Sequence, residues 1–126
     1  MEKIITTLLV LVGIIHLLPA VGMLGAERLN GLYGVSLDDS NLVILMRHRA
    51  VLFGLLGLFL IYAAFKPSLQ PLAFLAGFVS VISFLAIALS VGGYNNAISK
   101  IVIADVVAAI ALCIALVLYA VRDSSA

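Results

Sequence analysis

The stretch LVILMRHRAVLFGLLGLFLIYAAF, residues 42–65, decides the fold. At ~1.5 Å of rise per residue, a helix of that length exceeds the ~30 Å of hydrocarbon that a spanning helix must cross. The stretch does not alternate apolar and polar residues as a barrel strand does. An isolated strand would also leave backbone groups unpaired in lipid, which leaves the helix as the conformation that satisfies them internally.

Working outward, residues 4–25, 71–91 and 98–121 form three further apolar runs of similar length. Across the 126 residues, 65% are apolar or aromatic and only 10% are charged. A soluble fold of this size could not hide so much apolar surface. The sequence therefore predicts one all-α integral-membrane domain, residues 1–126: a bundle of four transmembrane helices, up-down-up-down. The first run is longer than the apolar region of a secretory signal. A cut after Ala26 would place Leu24, not a small residue, at its −3 position. The run reads as a retained helix.

The connections fit this plan. Lys66–Gln70 and Gly92–Ala97 are short and carry helix breakers. Residues 26–41 are longer, and Leu29, Leu32, Tyr33, Val35 and Leu37 suggest a segment lying at the interface between helices one and two. Ser40 is the expected N-cap of helix two, with Asp38 and Asp39 suited to its positive end. Four crossings bring Tyr33, Tyr62, Tyr94 and Tyr119 to the membrane boundary, where tyrosine is favoured. One side carries Lys3, Lys66 and Arg122, the other Arg28, Arg47, Arg49 and Lys100. With Arg47 and Arg49 assigned to the bundle, the balance favours cytoplasmic termini.

Charged groups inside a spanning helix cost at least ~2.5 kcal/mol each, so each needs a reason. By helical rise, Arg47 lies ~8 Å, Asp105 ~11 Å and His16 ~14 Å from the same side. His48 follows Arg47, and Tyr94, Asn95 and Asn96 cover that level from the third connection. Arg47 shares a face with Ala50, Gly54 and Gly57, and His16 with Gly13 and Ala20. Small residues mark close helix–helix contact in membranes. Arg47, His48 and Arg49 are spread by ~100° steps and cannot all face inward. The expected arrangement puts Arg47 inward, His48 partly inward, and Arg49 out toward the headgroups.

This cluster, Arg47, His48, Asp105, His16, Asn95 and Tyr94, has a bland reading and a functional one. The bland reading is a structural ion pair with hydrogen bonds across helices. The functional reading is a pocket for a lipid, quinone or other amphipathic ligand, in a binding or accessory subunit with no assigned catalytic residue. Two sharper alternatives are a haem b held by His16 and His48 in a redox protein, and a proton-coupled transporter using Asp105.

Other classes are excluded. A formal net charge of +1 offers no basic surface for nucleic acid. Phosphate-loop, zinc-protease, serine-hydrolase and nucleotidyltransferase signatures are absent. Two histidines without ligand-spaced partners make no zinc site. The single Cys113 excludes an intrachain disulfide and reads as inert packing in an apolar run. Leu11–His16 also resembles Leu75–Ser80, a pattern that a duplicated hairpin gives and that chance in apolar sequence gives too.

The Gly13-Ile14-Ile15-His16 run, the Arg47-His48-Arg49-Ala50-Val51-Leu52-Phe53-Gly54 opening of helix two and the four-helix length together resemble the DoxX-like group of small bacterial inner-membrane proteins. Some members of that group are associated with membrane redox systems, quinone reduction or oxidative-stress complexes. The resemblance implies a small bacterial inner-membrane subunit or binding protein. Its partners would be membrane lipid and either a second copy or a larger membrane complex. It carries over no catalytic residue.

Overall fold

A computed structural model describes residues 1–19 and 39–125. It is all-helical, with no strand among the described residues. Helix α1 runs Glu2–Leu17, α2 Ser40–Ala64, α3 Gln70–Val91 and α4 Asn96–Ser125. A 3-10 turn, Pro67–Leu69, leads into α3. Three segments, Ser40–Ala64, Pro67–Val91 and Asn96–Asp123, are long and apolar enough to cross a membrane. The last residues expected of the first helix, most of the interfacial segment, and Tyr33 lie outside the described residues.

Local chemistry sets the helix ends. Helix α2 starts two residues earlier than expected because Asp39, not Ser40, is its N-cap: the Asp39 carboxylate accepts from the Asn41 backbone N–H at 2.9 Å. Helix α3 ends where Gly92 and Gly93 take φ of 67° and 64°, the left-handed region that glycine enters without a Cβ penalty. Asn95 begins α4, its Oδ1 accepting from the Ile98 N–H at 2.8 Å.

Helix α1 packs most extensively on α2 and then on α4, and α3 packs more on α4 than on α2. The α1–α2 crossing is made by Gly13 and Gly57. A Cβ on Gly13 would stand 2.6 Å from Ile61 Cγ1 and 2.9 Å from the Gly57 carbonyl; one on Gly57 would stand 2.8 Å from the Gly13 carbonyl. Here the small residues do let two backbones approach, as their spacing predicts. The core between the helices holds Ile5, Leu9, Val12, Leu60, Phe74, Val81 and Leu112 with several alanines. Outward-facing side chains stay apolar, with Leu55, Leu75, Leu89 and Ile103 all more than 60% exposed. Such a surface is costly in water and matched to hydrocarbon. Cys113 sits on this outer surface of α4, not in the packed interior expected of it.

At one end of the bundle, side chains join all four helices. Arg122 Nη1 donates to Glu2 Oε1 at 3.1 Å, and its Nη2 to Gln70 Oε1 at 3.4 Å. Gln70 Nε2 and Thr6 Oγ1 both donate to the Ala64 carbonyl, at 3.2 and 3.0 Å. That carbonyl is one of the last four of α2, which no intrahelical donor reaches. The Arg122 guanidinium lies over the Tyr119 ring, which packs edge-on against Phe74.

Candidate functional site

The second polar level lies near the C-terminal end of α1. His16 is buried, and both its ring nitrogens are engaged. Nδ1 stands 2.9 Å from the Val12 carbonyl, Nε2 2.8 Å from Ser80 Oγ on α3. A carbonyl only accepts, so Nδ1 carries a hydrogen; in the neutral ring Nε2 then accepts from the Ser80 hydroxyl. The Phe53 ring of α2 lies 5.8 Å from the imidazole. The Arg49 guanidinium also sits over Phe53, at 4.4 Å from the centroid.

Beside these groups is a small cleft of about 20 Å³, lined by Ile15, His16, Pro19, Arg49, Phe53, Phe84, Ile101 and Asp105. That is room for about one water molecule. Arg49 and Asp105 line this same cleft. Side chains from four helices thus converge: His16 from α1, Arg49 from α2, Ser80 from α3 and Asp105 from α4. A second hollow of about 200 Å³ opens between α2 and α3, lined by Arg49, Leu52, Phe53, Leu56 and Ser80. Arg49 and Phe53 belong to both spaces and separate the outer groove from the inner cleft.

The arginine facing inward is therefore Arg49, where the sequence pointed to Arg47. Arg47 and His48 are exposed, whereas Arg49 is half-buried. The buried face of α2 explains it. Leu60, buried in the core, lies within about 20° of Arg49 around the helix but about 140° from Arg47. The small residues Ala50, Gly54 and Gly57 do not decide between them, since Gly57, at the helix crossing, lies about 80° from either arginine.

The remaining expected residues fall elsewhere. Tyr94 is exposed and lines a separate apolar recess with Phe84, Ile87, Ala88, Val91, Gly92 and Ile98. Asn95 is occupied as the α4 cap. Ser80 joins the site with a single signal in the sequence, its alignment with His16 in the apparent repeat. His16 with both nitrogens bonded, and His48 exposed on α2, do not form the facing pair that would clamp a haem. No group of three or more metal-ligating side chains occurs among the described residues.

A larger hollow lies at the opposite end of the bundle. A surface recess of about 560 Å³ there is lined by Glu2, Lys3, Thr6, Thr7, Ala64, Phe65, Pro67 and Gln70. Most of its polar wall is engaged within the chain: Thr6 and Gln70 on Ala64, Thr7 on the Lys3 carbonyl, Glu2 on Arg122. Size favours that recess; available chemistry favours the four-helix cluster.

Among the described residues, fold and site together define an all-helical architecture with three helices able to span a membrane and a polar cluster inside the bundle. No family model, curated protein or solved structure matches the chain.

Proposed function

We propose that the chain is a four-crossing, up-down-up-down protein of a bacterial inner membrane, of DoxX-like type, with both termini cytoplasmic. In this reading it is a binding or accessory subunit whose intramembrane polar pocket takes an amphipathic ligand. Antiparallel packing is supported by the contacts of the first two turns of α1 with the last turns of α2 and α4. The binding role rests on one observation: Arg49 stands between a buried polar cleft and a groove between α2 and α3. A ligand approaching from the bilayer would lay its apolar part on Leu52, Phe53 and Leu56 and meet a guanidinium at the inner end. An ionisable residue held inside a membrane bundle marks a functional site by default.

The test is native mass spectrometry of protein extracted gently from membrane. Arg49→Ala should lose the co-purifying ligand, because truncating the charged partner costs about 2 kcal/mol or more, roughly 30-fold in affinity. Arg47→Ala should retain it. Equal retention in both variants refutes the assignment, and loss of the folded bundle in Arg49→Ala makes the cluster a structural brace.

A further inference from the structure

We propose that Ser80 and His16 form a nucleophile–base pair, and that the groove between α2 and α3 presents to it the carbonyl of an uncharged long-chain ester, which the pair hydrolyses. The inference rests on the binding reading of that groove given above and adds a substrate class and a reaction.

The geometry is that of an activated hydroxyl. Among the described residues the Ser80 side chain has one hydrogen-bond partner, His16, with Oγ 2.8 Å from Nε2. The 2.9 Å bond of Nδ1–H to the Val12 carbonyl fixes the tautomer and turns the basic nitrogen toward Ser80. A nucleophile on a base, and the base on an orienting acceptor, is the arrangement that marks covalent catalysis. It is recognised by geometry and roles, so the missing serine-hydrolase sequence signature does not weigh against it. A hydroxyl that only braced two helices would be closed in between them. Ser80 is instead half-buried, and it lines the groove that Leu52, Phe53 and Leu56 make apolar.

Depth selects the substrate. Ser80 stands midway along α3, Gln70–Val91, about 15 Å of helical rise from either end. A charged group drawn to that depth in hydrocarbon is costly. The esters of a phospholipid are tied to such a group by a few bonds, so their carbonyls stay nearer the surface. An ester of a fatty acid with an uncharged alcohol meets no such penalty, and its chain suits the apolar wall of the groove.

The reaction balances with water as the second reactant. Ser80 Oγ bonds to the acyl carbon as its proton passes to His16 Nε2. The bond from that carbon to the alcohol oxygen breaks, and His16 returns the proton to the departing oxygen. A water oxygen then bonds to the acyl carbon, its proton travels by way of His16 to Ser80 Oγ, and the acyl–serine bond breaks. Ester and water become acid and alcohol. The cleft that His16 also lines has room for about one water. Arg49 lines the groove with Ser80, and its charge favours the carbonyl oxygen as that turns anionic, whatever else the guanidinium bonds.

The experiment uses the full chain in phosphatidylcholine nanodiscs. Dodecyl fluorophosphonate, which reacts with activated serines and spares ordinary ones, should add a single adduct, and mass spectrometry of the peptides should place it on Ser80. That measurement needs no variant, and a hydrogen bond that merely braces helices leaves no adduct. The protein should also release the coloured phenol from para-nitrophenyl decanoate while the phosphatidylcholine of the disc stays intact. Ser80→Ala should lose both adduct and release. Ser83→Ala, which removes a hydroxyl bonded to the Ser80 carbonyl, should keep both. His16→Gln should slow both by about 100-fold, the lower end of what a general base supplies. No adduct on the parent, or an adduct on another serine, overturns the pair. Labelling at full rate in folded His16→Gln overturns the base. Fatty acid released from phosphatidylcholine overturns the uncharged substrate class. A long-chain methyl ketone, an uncharged carbonyl with no bond to break, separates this proposal from the binding reading. If calorimetry shows the ketone bound, and bound more weakly in Ser80→Ala and Arg49→Ala, while Ser80 takes no adduct, the activity falls and the binding reading stands. If the ketone does not bind and no adduct forms, both fall.

Discussion

The bundle carries two polar levels, and they differ in what is left over. At the end where α1 starts and α4 finishes, Glu2, Arg122, Gln70, Thr6 and the Ala64 carbonyl form a closed set. Gln70 is 1% exposed, yet both ends of its amide are bonded. At the other level, His16 is just as well satisfied, but Arg49 and Asp105 border unfilled space and a groove open to the side. Buried polar groups that satisfy one another hold helices together and do little else. The first level also borders a hollow, the recess of about 560 Å³, but most of the polar groups that line it already bond within the chain, whereas Asp105 has no hydrogen bond among the described residues. The contrast also matches the packing: α2 and α3, which flank the groove, touch less than the other pairs of consecutive helices.

The largest expected effect strikes both levels at once. Gly13→Ala places a methyl against Ile61 and the Gly57 backbone at distances no side-chain rotation relieves. We expect a loss of about 1–3 kcal/mol, the usual range for overpacking. It should be read as a lower midpoint of thermal unfolding in detergent, with ligand retention falling in parallel. Unchanged stability would mean that α1 and α2 do not cross where Gly13 meets Gly57. Next in size is Gln70→Leu, which separates the levels. It strips Arg122 and the Ala64 carbonyl of a buried partner and should cost about 1–3 kcal/mol. Ligand retention at the far level should stay within about twofold, well under the tenfold that 1.4 kcal/mol represents. If binding falls along with stability, the two levels are one cooperative unit and the comparison fails.

Much of this architecture is legible in the sequence, and the parts that are not share a cause. The helices are set by long apolar runs and the breakers between them, so α3 and α4 begin and end within a few residues of expectation. The depth of the second level is equally legible, because helical rise converts residue number into height. Azimuth is not. Arg47 and Arg49 differ by two residues and about 160°. Which of them faces inward depends on where α1 lies, and that is fixed by the Gly13–Gly57 crossing. Ser80 was obscured for the same reason: a serine in an apolar run shows no partner until α1 and α3 are placed side by side. The closed level is not legible because Glu2, Gln70 and Arg122 sit at helix ends, where a polar side chain needs no partner to explain it.

The smallest effect tests the contrast most finely, at Ser80→Ala. His16 would keep its bond to the Val12 carbonyl and lose only the one to the Ser80 hydroxyl. A single hydrogen bond is worth about 0.5–1.5 kcal/mol net, so the unfolding midpoint should fall by a few degrees at most. The hydroxyl also lines the groove beside Arg49, and its removal leaves that wall wholly apolar apart from the guanidinium. Retention of an amphipathic ligand should therefore weaken by no more than about tenfold. It should do so without the loss of fold that Gly13→Ala brings. If Ser80→Ala instead destabilises as much as Gln70→Leu while leaving retention untouched, then Ser80 acts as a brace between α1 and α3. The second level would then be closed in the same way as the first.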